Sequence, residues 1–249
     1  MPELAEPRQQ AILDLLNSGG HAVVSGLARR FNVSEMTIRR DLRLLESQGL
    51  AIRVHGGALA GERSRFSNRL SANSRAKSRA VAKLVPELPE QGCVYFDGST
   101  TVLNLVRHLK GFAKLQVATN NIETFNRLAA LRGPTPILIG GSLDIRTDNL
   151  IGPLALRSIE ALAFDKAFFS SWGIDPDVGM SEVTVEDAQV KDQVARRTKQ
   201  VLVALDHSKL GVVAAGAWLH GRDKAVLATD LEPGDGRLHA YANLFHMII

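Results

Sequence analysis

The sequence predicts a two-part α/β protein: a small helical unit closed by a β-wing, followed by a Rossmann-like parallel-sheet domain. Three observations predict it. Three amphipathic helical stretches and a short β-like run fill residues 1–58. From about Gly92, short apolar runs alternate with helical stretches up to residue 249. Between the two units, 59–75 is polar, basic and without apolar periodicity, as expected of a linker.

The elements follow in order. Pro7 suits a first helical position, Ile12, Leu15 and Leu16 form one stripe, and Gly19-Gly20 ends a helix over 7–17. A short helix fits Ser25 to Phe31, with Leu27, Ala28 and Phe31 inward, and Asn32-Val33 makes a tight turn. Ser34 caps a third helix that reaches Ser47 or Gln48 before Gly49. LAIRVHGGA (50–58) then reads as a β-wing, so the layout is a winged helix-turn-helix. In 76–249, strands are predicted at 93–96, 115–119, 135–139, 166–169, 200–205 and 224–229. Helices are predicted at 100–110, 122–132, 153–162 and 185–198, and another begins near Lys77. The closing FHMII fits an edge strand or an oligomer contact.

Composition bounds the function. With 249 residues, 45% apolar and 22% charged, the chain is globular, and a disordered or collagen-like polymer is excluded. No apolar run approaches the ~18 residues of a spanning helix. The start, MPELAEPRQQ, has no apolar signal core, so a cytoplasmic protein with no membrane contact is expected. The single cysteine, Cys93, excludes an internal disulfide and a cysteine-based zinc site. Aromatics at 5% argue against stacking on single-stranded RNA. Net charge is +4, and the excess is local: 59–80 holds six basic residues against one acidic. That pattern fits a nucleic-acid-facing module on a near-neutral domain, and it fits a solvated basic linker equally.

On a helical projection of 34–48, Ile38, Leu42 and Leu45 form the buried stripe, while Met36, Arg39, Arg40 and Arg43 form one outer, basic face. Such a helix fits the major groove of duplex DNA. Ser34 and Thr37 stand at its N-terminal end, toward base edges or phosphates. Arg40 and Arg43 suit either bidentate bonds to guanine or clamps on phosphate. Arg53 and His55 in the wing would meet the backbone or the minor groove. The alternative is a three-helix protein-docking unit with a solvated charged face.

In the second domain YFDGSTT (95–101) joins a strand to a helix. Gly98 allows close approach, Ser99, Thr100 and Thr101 offer hydroxyls, and the helix start favours an anion. The arrangement is a phosphate or carboxylate cradle, or a plain helix cap. Asp97 ends its strand, where open α/β sheets bind ligands. Other strand exits converge on the same crevice: Thr119 with Asn120 and Asn121, Gly140-Gly141, Trp172-Gly173-Ile174-Asp175, and Asp206-His207-Ser208-Lys209. Lys209 and Lys191 are candidate partners for a phosphate, although Lys191 can equally face solvent and Asp206 cap a turn.

VSEMTIRRDLRLLESQGLAIRVHGGA (33–58), with its Arg-Arg-Asp triplet and wing His-Gly-Gly, closely resembles the DNA-binding module of the DeoR family of bacterial transcriptional regulators. Val23 departs from the family's usual Ser or Thr at the cap of the second helix. RFSNRL with Lys77, FDGSTT, TNN, IGG, Asn149 to Pro153, DKAFFSSWGID and DHSKLG resemble the DeoR-type sensor domain, over nearly all of 63–230. That domain is similar in fold to ribose-5-phosphate isomerase. The resemblance implies a repressor of a sugar or polyol operon, a homodimer or homotetramer on double-stranded operator DNA, with a phosphorylated sugar or polyol as effector. It implies that Gly98 to Thr101 hold the phosphate and that Asp97, Asn120 and Lys209 contact the sugar or close the pocket. Trp172 stands where the family pattern varies, so it would bias effector size.

The competing class is an isomerase with a DNA-binding appendage. It needs a tuned carboxylate base, and Glu182, Glu186 and Asp187 are the available groups, near a helix start where capping is their default role. The isomerase family's glycine-rich segment leading to its catalytic glutamate has no counterpart in the sequence. Neither a metal-ligand spacing, a Walker loop nor a nucleophile elbow is present. The expectation is a non-enzyme without metal or cofactor.

Overall fold

A computed structural model describes residues 7–19, 21–47, 50–54, 56–60, 73–219 and 222–249. The chain forms two compact units, Met1–Ser74 and Arg75–Ile249.

In the first unit, helices α1 (Pro7–Gly19), α2 (Val24–Phe31) and α3 (Glu35–Ser47) pack around Ile12, Leu16, Leu27, Ile38, Leu42 and Leu45, all buried. Asn32 takes the left-handed conformation at φ 51° to end α2, and its amide bonds Ala28 and Arg29 carbonyls. The wing is larger than predicted. Strands β1 (His21–Val23), β2 (Ala51–Val54) and β3 (Gly57–Ala60) form an antiparallel sheet in the order β1-β3-β2. β3 therefore runs through Leu59 and Ala60, at the start of the expected linker, of which 61–72 lie outside the described residues. Gly57 is needed there, because any Cβ would run into the Ala22 carbonyl on β1. The wing also serves α2. Val23 gives no side-chain cap, and the Val24 amide instead donates to the Gly56 carbonyl at 2.9 Å.

The second unit opens with α4 (Ser74–Leu84). Its sheet comprises β4 (Gln91–Phe96), β5 (Lys114–Thr119), β6 (Thr135–Leu138), β9 (Phe164–Phe169), β12 (Thr198–Leu205), β14 (Arg222–Thr229) and β15 (Phe245–Ile248). The spatial order is β15-β14-β12-β9-β4-β5-β6, and every neighbouring pair is parallel. The central strands are apolar throughout because both faces are covered: Val94, Tyr95, Phe96, Ala167, Phe168, Phe169, Val203 and Leu205 are buried. Pro136 is tolerated because β6 is an edge. FHMII supplies the other edge as β15, and one expectation for that segment thus holds.

Helices α5 (Ile122–Ala129), α6 (Pro153–Glu160) and α7 (Val185–Arg196) match the predicted positions. The expected helix at 100–110 does not form as an α-helix; Val102–His108 is a 3-10 helix. The cause is local. The Asn104 side-chain amide bonds the Thr100 carbonyl at 2.9 Å, the acceptor an α-turn would give the Asn104 backbone, which bonds Thr101 at 3.1 Å instead. Two small sheets were not foreseen. A hairpin joins β7 (Ser142–Asp144) to β8 (Asn149–Ile151), and β10 (Gly173–Asp175), β11 (Gly179–Glu182) and β13 (Gly216–Trp218) form an antiparallel trio.

The order of the large sheet fixes where a ligand can enter. From β4 the chain steps outward to β5 and β6, then returns to β9 on the other side of β4 and steps away through β12, β14 and β15. The reversal lies between β4 and β9, and the crevice beyond their carboxyl ends is the topological switch point.

Candidate functional site

In the first unit, the outer face of α3 is the exposed one. Met36 is 68% exposed, and Arg39, Arg40 and Arg43 are exposed beside it. Ser34 Oγ accepts the Thr37 amide at 3.2 Å and lies 2.9 Å from Thr37 Oγ1, so these two predicted contact residues also build the helix cap. Arg39 pairs with Glu35 at 3.2 Å, and Arg53 on β2 pairs with Glu46 on α3 at 2.6 Å. The Arg53 hydrogen bonds lower the Glu46 pKa, and both side chains are open enough to water that the pair is worth at most about 1 kcal/mol. Among the described residues, Arg40 and Arg43 have no carboxylate partner. An open cleft of about 860 Å³ carries Arg8, Thr37, Arg40 and Arg43 on its walls. His55 lies outside the described residues.

In the second unit, the switch point carries buried charge. Asp97, directly after β4, is fully buried. One carboxylate oxygen accepts the Ser99 amide at 3.0 Å; the other accepts the Ser170 amide at 2.8 Å and pairs with Lys191 Nζ at 3.0 Å. Asp97 thus clasps the exits of β4 and β9 together. Lys191, on α7, also donates to the Ser170 carbonyl at 2.7 Å and to Glu182 Oε1 at 2.6 Å. Burial alone would drive this lysine toward neutrality. The carboxylates of Asp97, Glu182 and Asp187 outweigh burial and hold its pKa above the ordinary lysine value.

Glu182 and Asp187 stand near the start of α7, as expected, but neither side chain caps it. Glu182 sits in β11 and accepts bonds from Lys191, Ser171 Oγ and the Trp172 amide. Burial pushes its carboxyl up, against the pull of Lys191. Thr184, rather than an acid, caps α7, by accepting the Asp187 amide at 3.2 Å. Asp187 is buried and accepts Asn149 Nδ2 at 3.0 Å; Glu186 is the acid that stays exposed in the first turn.

The β7–β8 hairpin is tied across this crevice. Tyr95 OH donates to Asn120 Oδ1 at 2.8 Å, and Asn120 Nδ2 donates to the Leu150 carbonyl at 3.1 Å. Asn121 caps α5 and donates to Asn149 Oδ1 at 2.9 Å. Thr119 is fully buried and accepts the Asn121 amide at 3.2 Å. Gly98 has a specific local reason: a Cβ there would overlap Asn149 Oδ1.

The hydroxyl loop meets a cation the site reading did not include. Lys77 on α4, 6% exposed, donates to Thr100 Oγ1 at 3.1 Å. Ser99 Oγ accepts the Val102 amide at 3.0 Å, and Thr100 and Thr101 are buried. The short 3-10 helix behind the loop lacks the aligned dipole of a full α-helix, and Lys77 brings a positive charge to the loop through its bond to Thr100. Lys209 stands 5.1 Å over the Trp172 ring. Two glycines have packing reasons of their own. A Cβ on Gly141 would come within 2.7 Å of the Ile151 carbonyl, and one on Gly173 would overlap the Val212 carbonyl. Gly140 is exposed, with only Ser158 Oγ near its missing side chain. Sequence reasoning names Lys191 as a phosphate partner, Glu182 and Asp187 as candidate bases, and Lys77 and Asn149 only within matching stretches; it does not bring the five together, and their shared signal is a charged or amide side chain in a segment that otherwise buries apolar residues.

A winged helix-turn-helix with an arginine-bearing face, joined to a parallel-sheet domain with charge buried at its switch point, defines a DNA-binding transcription regulator with a sensor domain. The chain belongs to the DeoR family. The DeoR-like helix-turn-helix domain matches residues 8–64, and the DeoR C terminal sensor domain matches residues 72–231. The chain is 30% identical to the HTH-type transcriptional regulator GolR of Listeria innocua over 227 residues, 90% of this chain and 89% of that one. It is 30% identical to the glycerol-3-phosphate regulon repressor of Escherichia coli over 207 residues, 82% of each. Ribose 5-phosphate isomerase A from Neisseria gonorrhoeae aligns with 55% of this chain and 53% of its own at TM-score 0.37 and 15% identity, a likeness that says nothing about activity. Among the described residues, no helix is long and apolar enough to cross a membrane.

Proposed function

We propose that this chain represses a sugar or polyol catabolic operon and is released from its operator by a phosphorylated sugar or polyol. In this reading α3 enters the major groove, Arg40 and Arg43 carry the free positive charge, and Ser34, Thr37, Arg39 and Arg53 flank them. Two or four copies present paired reading helices to half-sites. The effector lies beyond the carboxyl ends of β4 and β9, its phosphate toward Lys77 and the 98–101 loop, its hydroxyls toward Asn120, Asp97 and Lys209.

The observation that carries the reading is the burial of Asp97, Glu182, Asp187 and Lys191 at the switch point. Stability alone does not call for four charges there, since apolar residues of similar volume serve a core as well or better. The name of the E. coli relative, a glycerol-3-phosphate regulon repressor, supports a phosphorylated polyol as ligand class. A hundredfold fall in operator affinity requires the effector to prefer one state by about 2.7 kcal/mol.

The test is a gel shift on the chain's own upstream region against a panel of phosphorylated sugars and polyols, with the unphosphorylated compounds as controls. Release by a phosphorylated compound and not by its control is expected. Retention of the DNA under every compound would overturn the effector assignment.

A further inference from the structure

The Arg-Arg-Asp triplet of α3 splits in two. Arg39 and Arg40 face outward, whereas Asp41 is only 4% exposed. Its carboxylate accepts Arg8 Nε at 2.7 Å, Arg8 Nη2 at 3.3 Å and Gln9 Nε2 at 3.3 Å. Arg8 and Gln9 lie in the first turn of α1, so one side chain in the middle of α3 is fastened at three points to another helix. Arg8 and Asp41 line the same cleft as Thr37, Arg40 and Arg43.

Neither packing nor bulk DNA affinity calls for this carboxylate. Ile38, Leu42 and Leu45 already anchor α3 in the core. A negative charge beneath a phosphate-facing surface weakens sequence-independent binding. What the three bonds supply is direction. Apolar packing tolerates small rotations of a helix about its axis, whereas a two-point arginine–carboxylate bond does not. We propose that Asp41 is a positioning residue for sequence readout: through Arg8 and Gln9 it fixes the rotation of α3, and so the line along which Arg40 and Arg43 meet base edges. The inference rests on the reading of α3 as the DNA-reading helix.

The proposal separates two effects of opposite sign. Neutralising Asp41 removes a repulsion and strengthens binding to any duplex, while a loosened α3 weakens the preference for the right one. The experiment uses the full chain, a duplex enriched by the wild type from a randomised pool, and a scrambled duplex of the same composition. Binding is measured by fluorescence anisotropy over a salt series. Asp41→Asn is expected to lower the ratio of enriched to scrambled affinity about tenfold, the size of one lost base contact. Affinity for the scrambled duplex should hold or rise. A residue that only supports the fold would lower both affinities together, and that result, or an unchanged ratio, overturns the proposal. Arg8→Lys keeps the charge and loses the two-point bond; if Asp41→Asn does not fold, this variant carries the same expectation and the same refutation. A wild type that enriches no sequence removes the reading of α3 and this proposal together, whereas a selective wild type with an equally selective variant removes only the proposal.

Discussion

Lys191 on α7 meets Asp97 at the end of β4, 3.0 Å apart, at the point where the strand order reverses. The same ammonium holds Glu182, so one cation fixes three segments: the exit of β4, the exit of β9 and the β11 strand.

Lys191→Met should therefore destabilise the second unit by about 3–5 kcal/mol at neutral pH, because it leaves buried carboxylates without their counter-charge. Urea unfolding followed by circular dichroism reads this directly. A loss below about 1 kcal/mol would mean the cluster is well hydrated and Lys191 dispensable.

Alkaline pH should unfold the sensor unit early. Tyr95 is fully buried, and burial, then Asp97, push its pKa well above the ordinary tyrosine value; Lys191 is also raised, burial being outweighed by carboxylates. Both groups keep protons in the folded state that the unfolded chain releases above about pH 10. The folded state then binds more protons, so stability falls as pH rises. Tyr95→Phe removes its share of that slope, at a cost of about 1 kcal/mol for the lost bond to Asn120. An identical alkaline profile in the variant would show that Tyr95 does not titrate with unfolding.

Gly98→Ala should cost about 1–3 kcal/mol through overpacking against Asn149. Asn149→Ala in the same chain should recover part of that loss, since it removes the overlapping atom. Thermal melts of the two single variants and the double variant check it, and strict additivity would contradict the contact.

Ser99→Asp should abolish the response to a phosphorylated effector with operator binding intact. Aspartate still caps the Val102 amide, so the loop keeps its shape, but its charge repels phosphate. Calorimetry that finds unchanged effector affinity would place the phosphate elsewhere.

Arg40→Ala should weaken binding to operator DNA at least tenfold without changing the melting temperature. Arg39→Ala should cost less, because Arg39 is already shared with Glu35. Equal losses at the two positions, measured by anisotropy, would count against the distinction.

Much of this was legible because it is local. The stripe of Ile38, Leu42 and Leu45, the cap at Ser34 and the turn at Asn32 each depend on residues a few positions apart. The large sheet was legible too, because strands covered on both faces read as continuous apolar runs, as FF at 168–169 and VLVAL at 201–205 do. Strands of three or four residues, such as β1, β7 and β10, are too short for periodicity to show, so the wing and the small sheets were under-read. The 3-10 turn at 102–108 was hidden in one asparagine bond. The site's charged centre was hidden by distance: Lys191 lies in an ordinary-looking helical stretch, and nothing adjacent in sequence says that Asp97 faces it.

Glu35 and Glu46 each occupy an arginine on or beside α3, which leaves Arg40 and Arg43 as its uncommitted cations among the described residues. Each neutralised phosphate adds to residence on arbitrary chromosomal DNA. A DNA-binding surface with fewer uncommitted cations gains less from arbitrary sequence and depends more on the contacts that tell one site from another.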